Sequence, residues 1–394
     1  MSSEPLRPRA RFSLVVGGPF HRLLTRLGGM GPDGLPRPRT ALILATLAWS
    51  IPAVAVVVQS LLDETYSGWV YFSDATVYAR FLVTIAVLIM TEHYADGRFE
   101  ILIREFRATR IIGDDQDEVF LRALDQADRR SSSAFAEGVL VVLALGLASF
   151  GTRVAAGLVV GGWEGDAVDG GVVLSWAGML ASLVSGPLFF FLLLRWCWRF
   201  VVWTLLLFRL SGLQLDLMPL HPDRCGGLGF LALYPSIFTG FVFALSSVVA
   251  VTVLKELRFV ALSTDQIQWM LGIWLAVVVV LFLGPLAVFV PLLRRAREQA
   301  LIEYGRLAHQ HHHAFRRRWL DSGRTGEELI GSPDPSSSSD LNAIVTTAQE
   351  MRVFPIDHFA VVQLLGAAGL PLLAVALTRV PLVELVRRIG MGFL

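Results

Sequence analysis

The segment LMPLHPDRCGGLGF, residues 217–230, gathers His221, Asp223, Arg224 and Cys225 beside Gly226, Gly227 and Gly229. A glycine-rich turn running into an apolar helix leaves about four N–H groups without intrahelical partners, at the positive end of the helix dipole. Arg224 adds a fixed charge and a fork of donors. Together these are the parts of an anion or phosphate site, suited to anionic lipid head groups at the inner leaflet. The competing reading is architectural and takes precedence. In it Asp223 caps the helix, the glycines make a tight turn, and Arg224 pairs with lipid phosphate or with a carboxylate, Asp216 or Asp357. A metal on His221, Asp223 and Cys225 is disfavoured, because Pro222 disturbs the local geometry and no second ligand pair stands at zinc spacing.

His309, His311, His312 and His313 form a second cluster. On a helix His309 shares a face with His312 and His313, a spacing that can chelate a transition metal. No Cys or acid follows at ligand spacing, and Arg316 to Arg318 repel a cation. A solvated helix end is therefore expected, and no cofactor is assigned. Charges inside apolar stretches carry a presumption of function. Arg80, Glu92 with His93, and Glu137 lie near the ends of such stretches, where snorkelling accounts for Arg80, Glu92 and Glu137. Arg153 is the deepest, with Glu164 or Asp166 as candidate partners. No paired acids or Asp–His relay sits at mid-span, which argues against a proton pump. None of HExxH, GxSxG, GxxxxGK[ST] or a GxGxxG after a strand occurs, so the reading leans away from an enzyme.

The elements that must position these residues follow from composition. The chain of 394 residues is 54% hydrophobic and 17% charged, with a mean hydropathy of +0.59. Soluble domains run at about 45–50% apolar and about 25% charged, so the surplus calls for a lipid solvent. Disorder, a disulfide scaffold and a cytosolic enzyme are excluded, and nothing in the charge pattern points to nucleic acid. Cys197 and Cys225 are the only cysteines, and both are expected as thiols.

A spanning helix needs about 20 mainly apolar residues. Seven stretches meet this: 40–62, 76–93, 134–162, 172–194, 228–254, 268–292 and 357–378. The connections alternate in charge. Residues 61–74 and 161–171 hold acids and no Arg or Lys, whereas 94–133, 195–227 and 293–320 are rich in Arg. Positive residues favour the cytoplasm. This predicts a bacterial inner-membrane protein with a cytoplasmic N-terminus and a periplasmic or extracellular C-terminus. Lys255 and Arg258 break the rule slightly. The 34 basic residues are 33 arginines and Lys255.

The fold class expected is all-α, a polytopic bundle of about seven transmembrane helices with a cytoplasmic helical layer. That layer is built from 98–112, 114–130, the continuation of the fourth span to Leu210, and the continuation of the sixth through RRAREQALIEYGRLAHQHHHAFRRRWL. The organisation reads as a cytoplasmic segment 1–39, six spans with extensions over 40–320, a flexible link 321–340 containing GSPDPSSSSD, and a short helix with the last span over 341–394. Within 1–39, Phe12 to Leu27 reads as a broken amphipathic helix on the membrane surface. Residues 381–389 read as an interfacial helix. GPLFFFLLLRWCWR from Gly186 and GPLAVFVPLLRRAR from Gly284 suggest a parallel duplication at an offset of 98 residues.

LHPDRCGGLGF, with ALIEYGRLAHQHHHAFRRRWL, ELIGSPDPSSSSDLN and MRVFPIDHF, resembles a family of bacterial multi-pass membrane proteins of unknown function with an HPDR-x-GGLGF motif. The likeness covers the chain from about Leu213 onward and departs at Ser336 to Ser339. It implies no activity and no site. The arrangement of seven spans with extended fourth and sixth helices is similar, in topology alone, to insect chemoreceptor channels, which makes a homo-oligomer an expectation. The functional reading is a protein that binds, senses or conducts a small solute or ion. The alternatives are an enzyme of lipid head groups and a scaffold for a cytoplasmic partner.

Overall fold

The computed structural model describes residues 12–64, 66, 68–158, 162–168, 171–259, 264–321 and 333–377. They are almost wholly helical. Seven helices are long and apolar enough to cross a membrane: Pro38–Leu62, Ala75–Ala108, Asp114–Gly157, Trp176–Ser211, Gly229–Lys255, Gln268–Trp319 and His358–Val375. Each coincides with a stretch picked out by hydropathy. Their outward faces carry Leu42, Ile43, Val54, Val142, Phe150, Ile273, Val280 and Val362, all exposed. Apolar surface of that extent needs lipid rather than water.

Inside, the spans close on aromatic rings. Phe99 and Trp203 lie 4.8 Å apart, Phe200 and Phe282 5.3 Å, and Phe106 and Phe230 4.9 Å. These contacts join the second, fourth, fifth and sixth spans, and ring pairs of this kind add about 0.5–1.5 kcal/mol beyond area burial. The fifth span packs along the seventh, and the third along the fourth.

The ends of the bundle differ. At the arginine-rich end the second, fourth and sixth spans run on as helices to Ala108, Ser211 and Trp319. The helix Asp117–Ser131 packs on the fourth span. At the other end two short strands, β1 (Gly165–Val168) and β2 (Gly171–Leu174), form an antiparallel hairpin, so the hairpin end is the acidic one.

Two expectations change. Residues 12–27 do not give a surface helix from Phe12. Instead Ser13, Leu14 and Val15 are buried in the bundle, and a helix begins only at Gly18 and ends at Arg26. Gly17 and Gly18, with φ of 119° and 86°, turn the chain there, a backbone that other residues rarely adopt. The described part of the expected flexible link is helix Pro333–Gln349. It lies antiparallel to the extended sixth span, with Asp334 accepting from Trp319 Nε1 at 2.9 Å and Arg297 donating to the Gln349 carbonyl at 2.6 Å. Its serines donate to carbonyls one turn back, Ser337 to Pro333 and Ser338 to Asp334. Packing thus overrides a composition that reads as loop. The two Gly-Pro segments also depart from regularity in opposite ways. Residues Ala181–Ser185 before Gly186 form a π turn, whereas Gly284–Phe289 is a 3₁₀ segment. The suggested interfacial helix at 381–389 lies outside the described residues.

Candidate functional site

The glycine-rich turn is closed on itself. Asp223 Oδ1 accepts from the amides of Cys225 at 2.7 Å and Gly227 at 3.2 Å, and Oδ2 accepts from Gly229 at 2.7 Å. Burial alone pushes the Asp223 carboxyl up, but these three amides and the His221 ring outweigh it and hold the group below its ordinary value. The amides that an anion would need thus face Asp223. Arg224 sits at φ 55° and pairs with Glu350 at 3.2 Å, with both side chains about half exposed. That partner is neither Asp216 nor Asp357.

Around the turn the chain is densely tied. Met218 N–H donates to the Gly226 carbonyl, Arg352 N–H to the Arg224 carbonyl, and the Arg352 guanidinium to the Asp223 carbonyl. A side chain at Gly226 would meet Met351, and one at Gly227 would meet Ile111. The turn therefore clamps the end of the second span to the segment preceding the seventh. Cys225 is fully buried, and burial raises its thiol pKa, which suppresses the nucleophilic thiolate.

The histidines take part in helix pairing. His311 Nε2 lies 3.0 Å from Ser338 Oγ, and His312 Nε2 lies 3.3 Å from Asn342 Oδ1. His309 and His313 stack edge to face at 4.4 Å. Among the described residues no three His, Cys, Asp or Glu side chains converge at metal-binding distance.

The intramembrane charges rearrange most. Glu92 and Glu137 do not snorkel: they are 3% and 5% exposed. Glu92 Oε1 accepts from both Arg195 and Arg199 at 2.8 Å, and Arg195 Nε lies 3.4 Å from Glu137 Oε1. Both arginines are buried and also donate to the Val15 carbonyl. Glu137 Oε2 accepts the Phe20 N–H at 2.8 Å, and Ser13 donates to Asp96. This closed ion cluster seats the N-terminal segment. Arg153 is exposed on the third span, and its candidate partner Glu164 faces Arg80 and Lys255 instead.

That second meeting of charges borders a cleft of about 740 Å³ near the hairpin end. Its walls come from the second, third and fourth spans, closed by Trp163 and Glu164 beside the hairpin and by Lys255 at the end of the fifth span. Ala148, Gly151, Thr152 and Ala155 contribute one small-residue face of the third span, at helical spacing. Phe81, Phe189 and Phe190 supply apolar surface, and Arg80, Trp163, Glu164 and Lys255 the polar end. A smaller cavity of about 140 Å³ shares Thr76, Trp163, Glu164 and Lys255 with it. Gly186 lets the third and fourth spans approach here, since a side chain there would press on Ala148.

Both π turns of the described spans lie at this cleft. Arg80 and Phe81 sit in the first, Tyr78–Thr84, and Ala181 opens the second, Ala181–Ser185. π turns inside α-helices concentrate at functional sites, because the extra residue leaves backbone groups imperfectly paired. Lys255 was legible in sequence as an exception to the charge rule, whereas the cleft itself needs the packing of three spans.

Compared with family models, with curated proteins and with solved structures, the chain finds no match in any of the three. The geometry of the site therefore carries the functional argument by itself.

Proposed function

We propose that this integral membrane protein binds a small solute in the cleft at the hairpin end, as a sensor, transporter or channel rather than through covalent catalysis. The observation that carries the reading is the convergence of both π turns on a concave site with an apolar body and a few charged groups. Its volume of about 740 Å³ falls within the roughly 300–1,000 Å³ of small-molecule pockets. The arginine alternation along the chain supports an inner membrane, a cytoplasmic N-terminus and a cleft opening on the outer side. The likeness to the HPDR-x-GGLGF family belongs to the same proposal, with the turn in an architectural role.

An introduced thiol tests position and openness together. In a Cys197→Ser background, with Cys225 buried, Thr152→Cys should react with a membrane-impermeant maleimide added to intact cells. Reaction only after the cells are opened would put the cleft on the wrong side. A folded Thr152→Cys protein whose new thiol resists even a small permeant maleimide would remove the cleft.

A further inference from the structure

Resting on that reading, we propose that the ligand is an amphiphile with an anionic head, entering sideways from the bilayer and placing its head beside Arg80 and Lys255. The direction of entry follows from the walls. The third span packs along the fourth, and the second against the first and fifth, so the cleft lies where the second and third spans part. Val154 lines it and is 41% exposed on the lipid-facing surface. A solute arriving from that side needs an apolar body, which Phe81, Phe189 and Phe190 would cover.

The charge of the head follows from which local charges are already answered. The Asp74 carboxylate accepts from the Thr76 N–H at 2.9 Å, the Thr76 hydroxyl at 2.6 Å and Trp163 Nε1 at 3.1 Å. Three of its roughly four acceptor positions are thus filled by neutral donors before Lys255 Nζ, 3.9 Å away, is counted. That separation is an ion pair without a hydrogen bond, and it leaves the ammonium donors free to turn. Arg80 is exposed and has no ion pair among the described residues. Glu164 is 6% exposed, and burial pushes its carboxyl up despite the nearby Lys255 and Arg80. It lines the cleft beside both cations without an ion pair to either among the described residues. Arg80 therefore faces the cleft without an ion partner, and Lys255 with one that holds it without a hydrogen bond. Carboxylate and phosphate heads share the chemistry required.

The test uses the Thr152→Cys protein in phosphatidylcholine nanodiscs, reading protection of the introduced thiol from an uncharged maleimide. Dodecanoate and dodecyl phosphate should slow labelling. Dodecyltrimethylammonium and dodecanol should need at least about tenfold higher concentration, and Arg80→Gln should raise the half-protecting concentration of dodecyl phosphate about tenfold, the worth of one charge-assisted bond. Arg80→Lys, which keeps the charge, should recover part of the loss. Protection in phosphatidylglycerol discs without additive would identify a bilayer lipid as the source, and protection only by the added chains a free acid. Equal protection by cationic or neutral chains would overturn the anionic head while leaving the cleft intact. Protection by inorganic phosphate alone would overturn the apolar body. No protection by any probe, with the introduced thiol still reactive, would overturn the whole inference.

Discussion

At one end of the bundle Arg195 and Arg199 face Glu92 and Glu137; at the other, Arg80 and Lys255 face Glu164 and Asp74. The inventory is the same, two cations and two carboxylates. In the first group every member is at most 5% exposed, and the donors end on carboxylate or on the Val15 carbonyl. In the second Asp74 takes three neutral donors and meets Lys255 only at 3.9 Å, Glu164 makes no ion pair among the described residues, and Arg80 is open. Buried ions are held together because an unpaired one costs several kcal/mol. A cation left without an ion partner beside an open cleft is the feature on which the proposed occupant rests. The contrast separates charge that is satisfied within the fold from charge that is not, without any appeal to residue type.

The contrast can be broken by removing one member at a time. Glu92→Gln should have the largest effect. It withdraws the anion shared by two buried arginines and should cost about 3–5 kcal/mol, read as loss of the folded fraction on denaturant titration in detergent. A change under about 1 kcal/mol would mean that water reaches the cluster. Asp223→Ala should come next. Three amides lose their acceptor, for about 1–3 kcal/mol. The sign with pH is fixed as well. A carboxyl held below its unfolded value of about 3.9 contributes stability above that value and loses it as pH falls through the folded one. Wild type should therefore weaken in acid more steeply than Asp223→Ala, and parallel pH profiles would contradict the three-amide cap. Arg224→Ala should be smallest. Its pair with Glu350 is about half exposed, so thermal melting should shift by the equivalent of about 1 kcal/mol or less. A larger loss would mean that the turn depends on the side chain and not on its backbone.

The spans were readable because hydropathy and loop charge are properties of long windows, and all seven survive. So do the extensions of the second, fourth and sixth helices, where apolar residues persist past the first arginines. The ion cluster was not readable. Arg195 and Arg199 look like loop charges that set orientation, and Glu92 and Glu137 look interfacial. Only the rotation of three helices brings them onto one point, and single helices do not encode their neighbours' azimuth. The cleft was half legible. Arg80 stood out as a charge within a span and Lys255 as a violation of the charge rule. The small-residue face of Ala148, Gly151, Thr152 and Ala155 reads as ordinary membrane helix until its neighbours are placed. The serine run failed as a linker signal because its helix is held from outside, by Trp319, His311 and Arg297.

The seating of Val15 has a consequence for how the chain is made. Its carbonyl is bound by Arg199, 184 residues further along. Glu137, which holds Phe20, is synthesised only after two spans, and Arg195, which shares Val15, only after most of the fourth. Residues 13–16 are made before all of these groups and can find their seat only once the fourth span has been reached. Their docking is thus a natural checkpoint in biogenesis: it can occur only when the second, third and fourth spans have been inserted in register.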